Sequence, residues 1–417
     1  MIPGPLTRIR VDRRHLPAAA LLVLFAAASP GIARADPLDR CLADLRAQAP
    51  GHRVSVADFD RLTAGVQILE RVVTSRASQA EVVDSWWDYV PRLVDERRVR
   101  EGREVAARWG ETMAAVEARY GVDRSIFTAI WGVETNYGAI QGALPLLDVW
   151  VTRACTEQRP LWRANVFASL RLLRDGTVST EEFIGSWGGA FGLTQFIPTS
   201  YEELGVDGDD DGRVDLVGSV PDALASTANH LARRSRWSPG VPPAIEVRVP
   251  AGLLAGVPPL DEAWSKDDVR PLSQWARAGV AAAGGESLDS SGAARASLFF
   301  PAGAQGPAFL VTSNFNALIA YNQSTKYALS VALLARRISG AERTVEQAWP
   351  TDDPGLGRDD IRRLQELLLA RGHDIGAADG IPGPRTRDAV RAEQRRLGLP
   401  EDGRTGERVL RALADPS

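Results

Sequence analysis

The chain has 417 residues, of which 44% are hydrophobic, and its formal net charge is −4 at pH 7 with a pI near 5.8. This length predicts two or three domains with sizeable cores. The acidic balance argues against nucleic acid as a partner. The eleven tryptophans either fill these cores or stack on sugar rings, whose C–H faces suit a flat apolar surface.

The first 35 residues have the pattern of an export signal. Four arginines between positions 8 and 14 precede an apolar run over 16–28, and Ala33 and Ala35 supply small residues before a cleavage point. The run is too short for a membrane anchor. We therefore expect cleavage after Ala35 and a periplasmic protein, exported by either the general or the twin-arginine route.

Helical periodicity dominates the next part of the chain. Apolar residues recur three and four apart from about residue 36 onwards and again before residue 340. Between 238 and 313 the pattern changes to alternating and β-rich runs, such as IEVRV, SLFF and AFLVT. We predict a mainly α (α+β) fold in which 36–340 form a helical catalytic region, and 238–313 form a small mixed α/β subdomain inserted into it.

A shorter unit follows at the C-terminal end. Residues 341–357 are polar with two prolines and are typical of a linker. Residues 358–417 then predict three short helices, with Asp379-Gly380 and Asp402-Gly403 each opening a turn before a helix. The two turns suggest a small internal repeat.

Two cysteines, Cys41 and Cys155, remain after signal removal. In an oxidising compartment they are expected to form a disulfide, which would stabilise the fold by roughly 3–5 kcal/mol for a loop of this length. Two unpaired buried thiols are the alternative. The histidines show no metal-ligand spacing, which argues against zinc hydrolase chemistry.

The stretch WGVETNYG places an acid on an apolar helix face. Phe127, Ile130, Trp131 and Glu134 fall on one stripe just before the glycine that ends the helix. Burial and the helix C-terminus both disfavour a charged carboxylate, so we expect a raised pKa for Glu134. A carboxylic acid kept protonated near neutral pH suits general acid catalysis. The alternative is a glutamate that turns outward at a frayed helix end.

A glycine-rich run, GSWGGAFGLTQFIPTSY, begins at Gly185. Its glycines suit a backbone that a ligand approaches closely. Ser186 and Gln195 bracket the loop, and Gln195 leads into the apolar Phe196. A neutral amide beside an apolar wall suits an N-acetyl group or sugar hydroxyls.

These two runs and the later segment IAYNQSTKYA resemble, in the same order, the lytic murein transglycosylase B family. The resemblance covers about residues 38–337 and implies a lysozyme-like helical catalytic domain. It implies that Glu134 is the single catalytic acid/base. The positions that line the sugar cleft in the family are matched here by Ser186, Gln195, Tyr321 and Asn322, with Tyr89 of WWDY and Arg159 as less closely matched candidates.

The implied reaction cleaves the β-1,4 bond between N-acetylmuramic acid and N-acetylglucosamine without adding water. Glu134 would protonate the glycosidic oxygen, the substrate's acetamido carbonyl would stabilise the anomeric carbon, and the resulting glutamate would accept the C6 hydroxyl proton. A 1,6-anhydro ring would form, so one carboxylate would suffice where most glycosidases use two. Asp148 is the nearest other acid, but nothing marks it as a partner.

An acidic run reproduces part of a calcium loop. Asp207, Asp209 and Asp211 occupy its positions 1, 3 and 5, although its twelfth position is a glycine. Family members carry a similar loop whose last carboxylate comes later, which implies Asp222, and Arg213 would offer its backbone carbonyl. The resemblance implies no cofactor for catalysis and a structural Ca²⁺ here. A solvated acidic turn is the alternative.

The C-terminal unit resembles a three-helix peptidoglycan-binding domain through DGIPGPRTRDAV and the LQELLLARG helix. It would tether the enzyme to the cell wall and raise the local substrate concentration. The expected partners are peptidoglycan glycan strands and, beyond them, proteins of cell-wall synthesis or remodelling. A muramidase that admits water and a catalytically silent wall-binding scaffold are the alternative functions.

Overall fold

The computed structural model describes residues 37–74, 84–157, 159–258, 264–265, 268–288 and 294–415. The expected export signal lies outside these residues. Within them, no helix combines the length and the apolar character needed to cross a membrane.

Several helices before the sheet begin at a capping side chain. Ser55, Asp95 and Asp123 each accept a hydrogen bond from a backbone N–H of the first turn that follows. A two-stranded sheet, β1 (Leu144–Pro145) with β2 (Ile184–Gly185), ties this part together. The helices are α1 (Pro37–Gln48), α2 (Val56–Thr63), α3 (Glu70–Thr74), α4 (Trp86–Leu93), α5 (Glu96–Arg108), α6 (Gly110–Tyr120), α7 (Arg124–Thr135), α8 (Leu146–Thr156), α9 (Pro160–Arg174), α10 (Pro198–Leu204) and α11 (Val220–Asn229).

A six-stranded antiparallel sheet interrupts the helices. The strand order is β4-β7-β8-β3-β6, with β5 beside β7. Trp275 and Leu272 of α12 (Leu272–Arg277) are fully buried in the core of this sheet. The strands are β3 (Ala244–Arg248), β4 (Trp264–Ser265), β5 (Arg270–Pro271), β6 (Ala281–Ala282), β7 (Arg295–Phe300) and β8 (Ala308–Thr312).

The chain then returns to the helical body. Helices α13 (Ser313–Asn322) and α14 (Thr325–Ile338) follow the last strand directly, and α14 packs against α7 and α4 in the largest core. Residues of α14 from Tyr327 to Ala335 are all buried. The late helix therefore lies beside the helix that carries Glu134, although about 190 residues separate them.

Cys41 of α1 and Cys155 of α8 form a disulfide, with 5.6 Å between their Cα atoms. The expected pairing is confirmed, and the alternative of two free thiols is wrong. The bond fastens the first helix onto the helices around Trp150, whose side chain is 1% exposed.

Residues 341–357, which the sequence predicts to be a linker, are bound along the catalytic region; we call this segment the strap. Glu246 of β3, only 4% exposed, accepts hydrogen bonds from the backbone N–H groups of Glu346 and Gln347 at 2.8–2.9 Å. At the end of the strap, the N–H of Gly355 donates to the carbonyl of Trp87 at 3.0 Å. Composition alone does not reveal this docking, because the acceptor belongs to a distant strand.

The C-terminal unit consists of α15 (Arg358–Ala370), α16 (Pro384–Leu397) and α17 (Glu407–Ala414) around a small apolar core. Its two turns have the same structure. In the first, Gln365 donates to the Asp379 carboxylate at 3.0 Å and accepts from the N–H of Gly380 at 2.7 Å. Gln394, Asp402 and Gly403 repeat the arrangement at 2.7 and 2.9 Å. The suggested internal repeat is thus a repeated buried Gln–Asp-Gly contact.

Charged contacts join this unit to α4 and the residues just before it. Arg404 makes two hydrogen bonds to the Asp88 carboxylate at 2.8 and 3.0 Å. Arg387 donates to Asp84 at 2.8 Å, and the Asp84 side chain is 3% exposed. A partly buried, bidentate pair holds its geometry better than an exposed one, so the unit is docked rather than suspended.

Candidate active site

Glu134 lies one residue before the end of α7. Asp123 caps the start of this helix by accepting from the N–H of Ser125 at 2.7 Å. The helix ends because Asn136 and Tyr137 both adopt left-handed backbone angles, with φ of 51° and 57°. Tyr137 folds back over Gly132, where a Cβ atom would lie 2.6 Å from the tyrosine ring. The motif WGVETNYG therefore encodes a sharply reversed helix end rather than a frayed one.

Neighbouring helix α5 fixes this helix end. The hydroxyl of Tyr137 donates to the carbonyl of Arg98 at 2.8 Å, and the Arg98 Nε donates to the carbonyl of Gly132 at 3.1 Å. Arg98 itself is 5% exposed and pairs with Asp95 at 3.0 Å. These contacts join the end of α7 to the start of α5, so the backbone beneath Glu134 is held in place.

The carboxyl group of Glu134 is half-buried and has a specific partner. The hydroxyl of Tyr327 donates to its Oε1 at 2.7 Å, and Tyr327 is 1% exposed. Burial, and then the negative charge of Glu134, raise the pKa of Tyr327 well above its usual value. The phenol therefore stays a hydrogen-bond donor throughout the physiological range. The expected raised pKa of Glu134 itself stays a prediction.

A column of aromatic rings supports this pair. The rings of Tyr327 and Tyr321 stack with centroids 6.4 Å apart, and Tyr321 meets His230 at 4.8 Å and Phe196 at 6.3 Å. The hydroxyl of Tyr321 donates to the carbonyl of Thr194 at 2.8 Å. Burial lowers the pKa of His230 to about 4, so this ring is neutral near pH 7. The column thus places no positive charge behind the carboxyl group.

The glycine loop is closely packed, which explains its composition. A Cβ atom at Gly185 would lie 2.2 Å from the Ala190 carbonyl, and one at Gly189 would lie 2.4 Å from the Trp150 ring. The Trp150 indole N–H also donates to the Gly189 carbonyl at 3.0 Å. Glycine is therefore required by contacts with protein as well as by any approach of a ligand.

The same loop is attached to the helix end that carries Glu134. The Thr135 hydroxyl donates to the carbonyl of Leu193 at 2.6 Å. The Ser186 hydroxyl donates to the Ala190 carbonyl at 3.2 Å and accepts from its N–H at 3.3 Å. Gln195, at a left-handed φ of 54°, donates to the carbonyls of Gly192 and Gln141. Ser186 and Gln195 therefore shape the loop, and both stay partly exposed.

The other predicted sugar-contacting residues differ in exposure. Phe196 and Tyr89 are each only 3% exposed, so the structure places them beneath the surface, Phe196 against the aromatic column and Tyr89 under the Arg92 guanidinium. Apolar burial outweighs exposure for rings at these positions. Tyr321 is partly buried, and Asn322, at the end of α13, is exposed.

Two further residues have structural contacts. Asp148 accepts a backbone hydrogen bond from Gln67, and its pKa is raised by burial. Arg159 is exposed, pairs with Glu157 at 3.8 Å and lies over the Trp162 ring. Neither contact involves Glu134.

Sequence reasoning missed Tyr327 and His230 as members of the site. Tyr327 lies within the matched segment IAYNQSTKYA, but it comes six residues after Tyr321, a spacing that fits no single helix face. Gln323, with a φ of 55°, also breaks the helix between the two tyrosines. For His230, the sequence indicates only that its spacing does not suit a metal ligand. The one available signal for Tyr327 was its place in a matched segment.

The acidic loop brings three of its predicted ligands together. Carboxylate oxygens of Asp207, Asp209 and Asp211 lie within 4.8 Å of one another. Asp222 instead accepts from the N–H groups of Gly208 and Asp215 at 2.7 and 2.6 Å. It is 1% exposed, and burial raises its pKa.

Arg213 contributes its N–H to the Asp211 carboxylate at 2.8 Å. Three convergent carboxylates are an oxygen donor set that suits a hard cation such as Ca²⁺. Asp222 lies outside this group, and both of its oxygens hold the loop backbone. Asp207 also accepts two backbone N–H groups of the loop, so it belongs to both sets. Of the predicted ligands, Asp207, Asp209 and Asp211 therefore converge, whereas Asp222 binds the backbone of the loop.

Comparison with known proteins gives two family matches. Residues 37–336 match the family described as Transglycosylase SLT domain, and residues 357–413 match the Putative peptidoglycan binding domain. Membrane-bound lytic murein transglycosylase B of Escherichia coli K12 is 27% identical over 261 residues, which cover 61% of this chain and 68% of that protein.

Solved structures show the same similarity. SltB3 from Pseudomonas aeruginosa, in complex with NAG-anhNAM-pentapeptide, is 41% identical with a TM-score of 0.69, over 91% of this chain and 99% of that one. Escherichia coli Slt35 in complex with calcium is 23% identical with a TM-score of 0.60, over 73% and 92% of the two chains, and supports the fold alone. The predicted fold, mainly helical and lysozyme-like with a C-terminal helical domain, is confirmed.

Proposed function

The chain belongs to the transglycosylase SLT family, and from this premise we propose that it is a lytic transglycosylase of peptidoglycan, a carbon–oxygen lyase acting on a polysaccharide. It cleaves the β-1,4 bond between N-acetylmuramic acid and N-acetylglucosamine and leaves 1,6-anhydromuramic acid ends. The observation that carries this function is the half-buried Glu134 carboxyl group, fixed by the buried Tyr327 hydroxyl at 2.7 Å.

Glu134 acts twice in the proposed mechanism. As an acid it gives its proton to the glycosidic oxygen, and the bond from that oxygen to the anomeric carbon of muramic acid breaks. The substrate's acetamido carbonyl stabilises the electron-poor carbon. The C6 hydroxyl of the same sugar then attacks this carbon and gives its proton to the Glu134 carboxylate, which restores the acid. The proton count balances without water, and the Tyr327 hydroxyl orients the carboxyl group in both states.

Substrate contacts fall to the groups around this carboxyl. Ser186, Gln195 and Asn322 are exposed or partly exposed and supply hydrogen bonds to the sugars. Tyr321 is partly exposed and belongs to the aromatic column, and Phe196 and Tyr89 support the surface from below. This assignment follows the matched motifs and the exposures described above.

The acidic loop is proposed to bind a structural Ca²⁺ through Asp207, Asp209 and Asp211. The support is the convergence of their oxygens within 4.8 Å. The ion would hold the loop between α10 and α11 and has no part in the reaction, since lytic transglycosylases need no cofactor. Asp222 would act beneath the site by fixing the loop backbone.

The substrate sets the compartment and the partners. Peptidoglycan glycan strands are bound by both the catalytic and the C-terminal domains. We assign the protein to the periplasm, with the segment up to Ala35 as its export signal, and we include proteins of cell-wall synthesis or remodelling among its proposed partners.

Mass spectrometry of muropeptides released from purified sacculi tests the reaction. The expected products are one water lighter than reducing muropeptides and end in 1,6-anhydromuramic acid. Glu134→Gln, nearly isosteric, is expected to release none while keeping the wild-type melting temperature. Reducing ends would establish a muramidase instead, and binding of sacculi without release by the wild-type protein would establish a silent scaffold.

A further inference from the structure

A cavity of about 230 Å³ lies where the C-terminal unit meets the end of α7. Glu134 and Asn136 line it from the catalytic region, and Arg358 and Ile381 line it from the C-terminal unit. The volume is below the range of about 300–1,000 Å³ that is usual for drug-sized ligands. It therefore suits one residue-sized group that extends from a larger substrate at Glu134.

Three guanidinium groups face this space, and two of them are already paired. Arg92 pairs with Asp84 at 2.5 Å, and Arg98 pairs with Asp95 at 3.0 Å. Both contacts are within the catalytic region and hold its backbone. Because each of these two arginines is already paired with an aspartate, neither is the main candidate to bind an anion in the cavity.

Arg358, the first residue of α15, is bound differently. Among the described residues its side-chain hydrogen bonds go only to the Asp379 carbonyl, at 3.3 and 3.4 Å, which is long for a guanidinium. Burial and the neighbouring Arg98, Arg362 and Arg97 lower its pKa. A half-buried cation among other cations is costly unless an anion joins it, and this one faces a cavity.

Two exposed apolar side chains flank the same space. Ile140 is 44% exposed and Ile381 is 51% exposed, and each comes from a different side of the junction. A ligand with an apolar backbone portion and a carboxylate matches this pattern of two isoleucines and one guanidinium that has no carboxylate partner among the described residues. A free inorganic anion would leave the isoleucines unused.

We propose that Arg358 is a specificity-determining residue that binds a carboxylate of the peptide stem on the muramic acid being cleaved. This inference rests on the proposed function. The stem branches from the sugar that reacts at Glu134, so a group on it can enter the adjoining cavity while the glycan occupies the site. The C-terminal unit then recognises the substrate at the reaction centre as well as elsewhere on the wall.

The test compares cleavage of two substrates by the wild-type protein and by variants at Arg358. Soluble glycan chains that carry pentapeptide stems, and the same chains with the stems removed, are cleaved by wild type, Arg358→Gln and Arg358→Lys. Arg358→Gln is expected to raise KM for the stem-bearing chains about tenfold, as for loss of a charged hydrogen bond, and to leave stem-free cleavage within about twofold. Arg358→Lys keeps the charge and is expected to recover part of the loss.

Arg362→Gln is the matched control, since Arg362 lies one turn along the same helix and pairs with Asp359 outside the cavity. It is expected to behave as wild type on both substrates. Stems ending in an amide separate the terminal carboxylate, whose loss would reproduce the Arg358→Gln defect in wild type, from the other carboxylates of the stem.

Equal losses on both substrates, or none on either, would overturn the inference. Melting temperatures identify a variant that fails to fold, in which case Arg358→Lys decides the question. If wild type forms no anhydro product, the proposed function itself fails. If wild type is active but indifferent to Arg358, only the stem-binding role fails.

Discussion

At the scale of single residues, the central feature is a carboxyl group with one buried phenol as its partner. Glu134 lies on an apolar helix face, yet its Oε1 is hydrogen-bonded to Tyr327 at 2.7 Å. We expect the apolar setting to favour the acid form, and the phenol fixes the direction of the carboxyl group. Orientation of an acid toward its proton acceptor is a requirement of general acid catalysis that burial alone does not meet.

Tyr327→Phe tests this orientation. The ring and its stacking on Tyr321 remain, while the carboxyl group loses the hydrogen bond from the Tyr327 hydroxyl. We expect kcat to fall about 10- to 100-fold with little change in KM, because a hydrogen bond to a charged group contributes about 1.5–3 kcal/mol. Turnover of soluble glycan chains measures both. Tyr120→Phe, a change outside the site, serves as control, and an unchanged kcat in Tyr327→Phe would refute the positioning role.

His230 makes the stability of the fold depend on pH. Its pKa is about 4 in the folded protein and about 6.5 in an unfolded chain. The unfolded state therefore binds more protons between these values, so the free energy of unfolding falls as the pH drops from about 6.5 to 4, by up to about 3 kcal/mol. Above pH 6.5 this residue adds no pH dependence.

Urea unfolding at about pH 7 and about pH 4.5 measures the effect, with His230→Gln as the comparison. Because glutamine does not titrate, wild type is expected to lose about 2–3 kcal/mol more than the variant over this interval. Equal losses in the two proteins would show that His230 is not desolvated in solution.

Residue types near Glu134 were predictable only in part. Glu134 itself is detectable because an acid on an apolar stripe conflicts with the periodic pattern. Tyr327 is not, since an ordinary buried tyrosine at the start of a helix gives no such conflict. Phe196 is predicted as an apolar wall beside Gln195, and Tyr89 is predicted from its match to a cleft position of the family. Both are buried at 3% exposure, where packing decides.

At the scale of elements, the acidic loop combines three convergent carboxylates, to which we assign the proposed Ca²⁺, with a fourth that holds its backbone. Asp207, Asp209 and Asp211 converge, while Asp222 binds the loop's backbone from below. The sequence predicts all four carboxylates as ligands because it gives their order but not their direction. Asp222 lies outside the convergent group and accepts two backbone N–H groups, so the fold uses this residue to support the loop.

Calcium is expected to raise the melting temperature by a few degrees, because an ion that binds only the folded state at about 100 times its Kd stabilises it by about 2.7 kcal/mol. Asp209→Ala is expected to abolish this rise without loss of activity in calcium-free buffer. Asp210→Asn is the control, since Asp210 lies in the same loop at a φ of 60°, which Asn accepts, and is not among the three convergent residues. A rise that persists in Asp209→Ala would place the ion elsewhere.

The helices and strands were largely predictable, because caps and periodicity are local signals. Which elements pack against each other was not predictable from these local signals. Helices α7 and α14 meet although the sheet lies between them in the chain, and only the matched motifs indicated that their residues share a site. The glycines of the loop suggest close approach of a ligand when the sequence is read alone. In the structure, Trp150 and Ala190 already leave no room for a side chain at two of these positions.

At the scale of the whole molecule, the strap is the element that the sequence misrepresents. Its polar, proline-containing composition is typical of a free linker, but the buried Glu246 accepts two of its backbone N–H groups. This docking depends in part on a buried acidic residue 100 positions away in the chain. No local sequence pattern predicts this contact between Glu246 and the strap.

Glu246→Gln is expected to release the strap. The amide presents one acceptor and one donor where two acceptors are needed, at a cost of about 1–3 kcal/mol. Limited trypsin digestion is then expected to cut within 341–357 at least about tenfold faster than in wild type. Glu346→Gln is the control, since its exposed carboxylate pairs with Arg336 at the surface. Equal cutting rates would mean that the strap is held by its other contacts.

The docked position of the C-terminal unit would limit which bond is cut. A binding domain on a free tether lets its enzyme sample every bond within reach of one attachment point. Here Arg404 and Arg387 fix the domain against α4, beside Glu134, so the distance from attachment to scission is constant. The protein would then act as a molecular ruler, and the position of each cut along a strand would be set by where the C-terminal domain has bound.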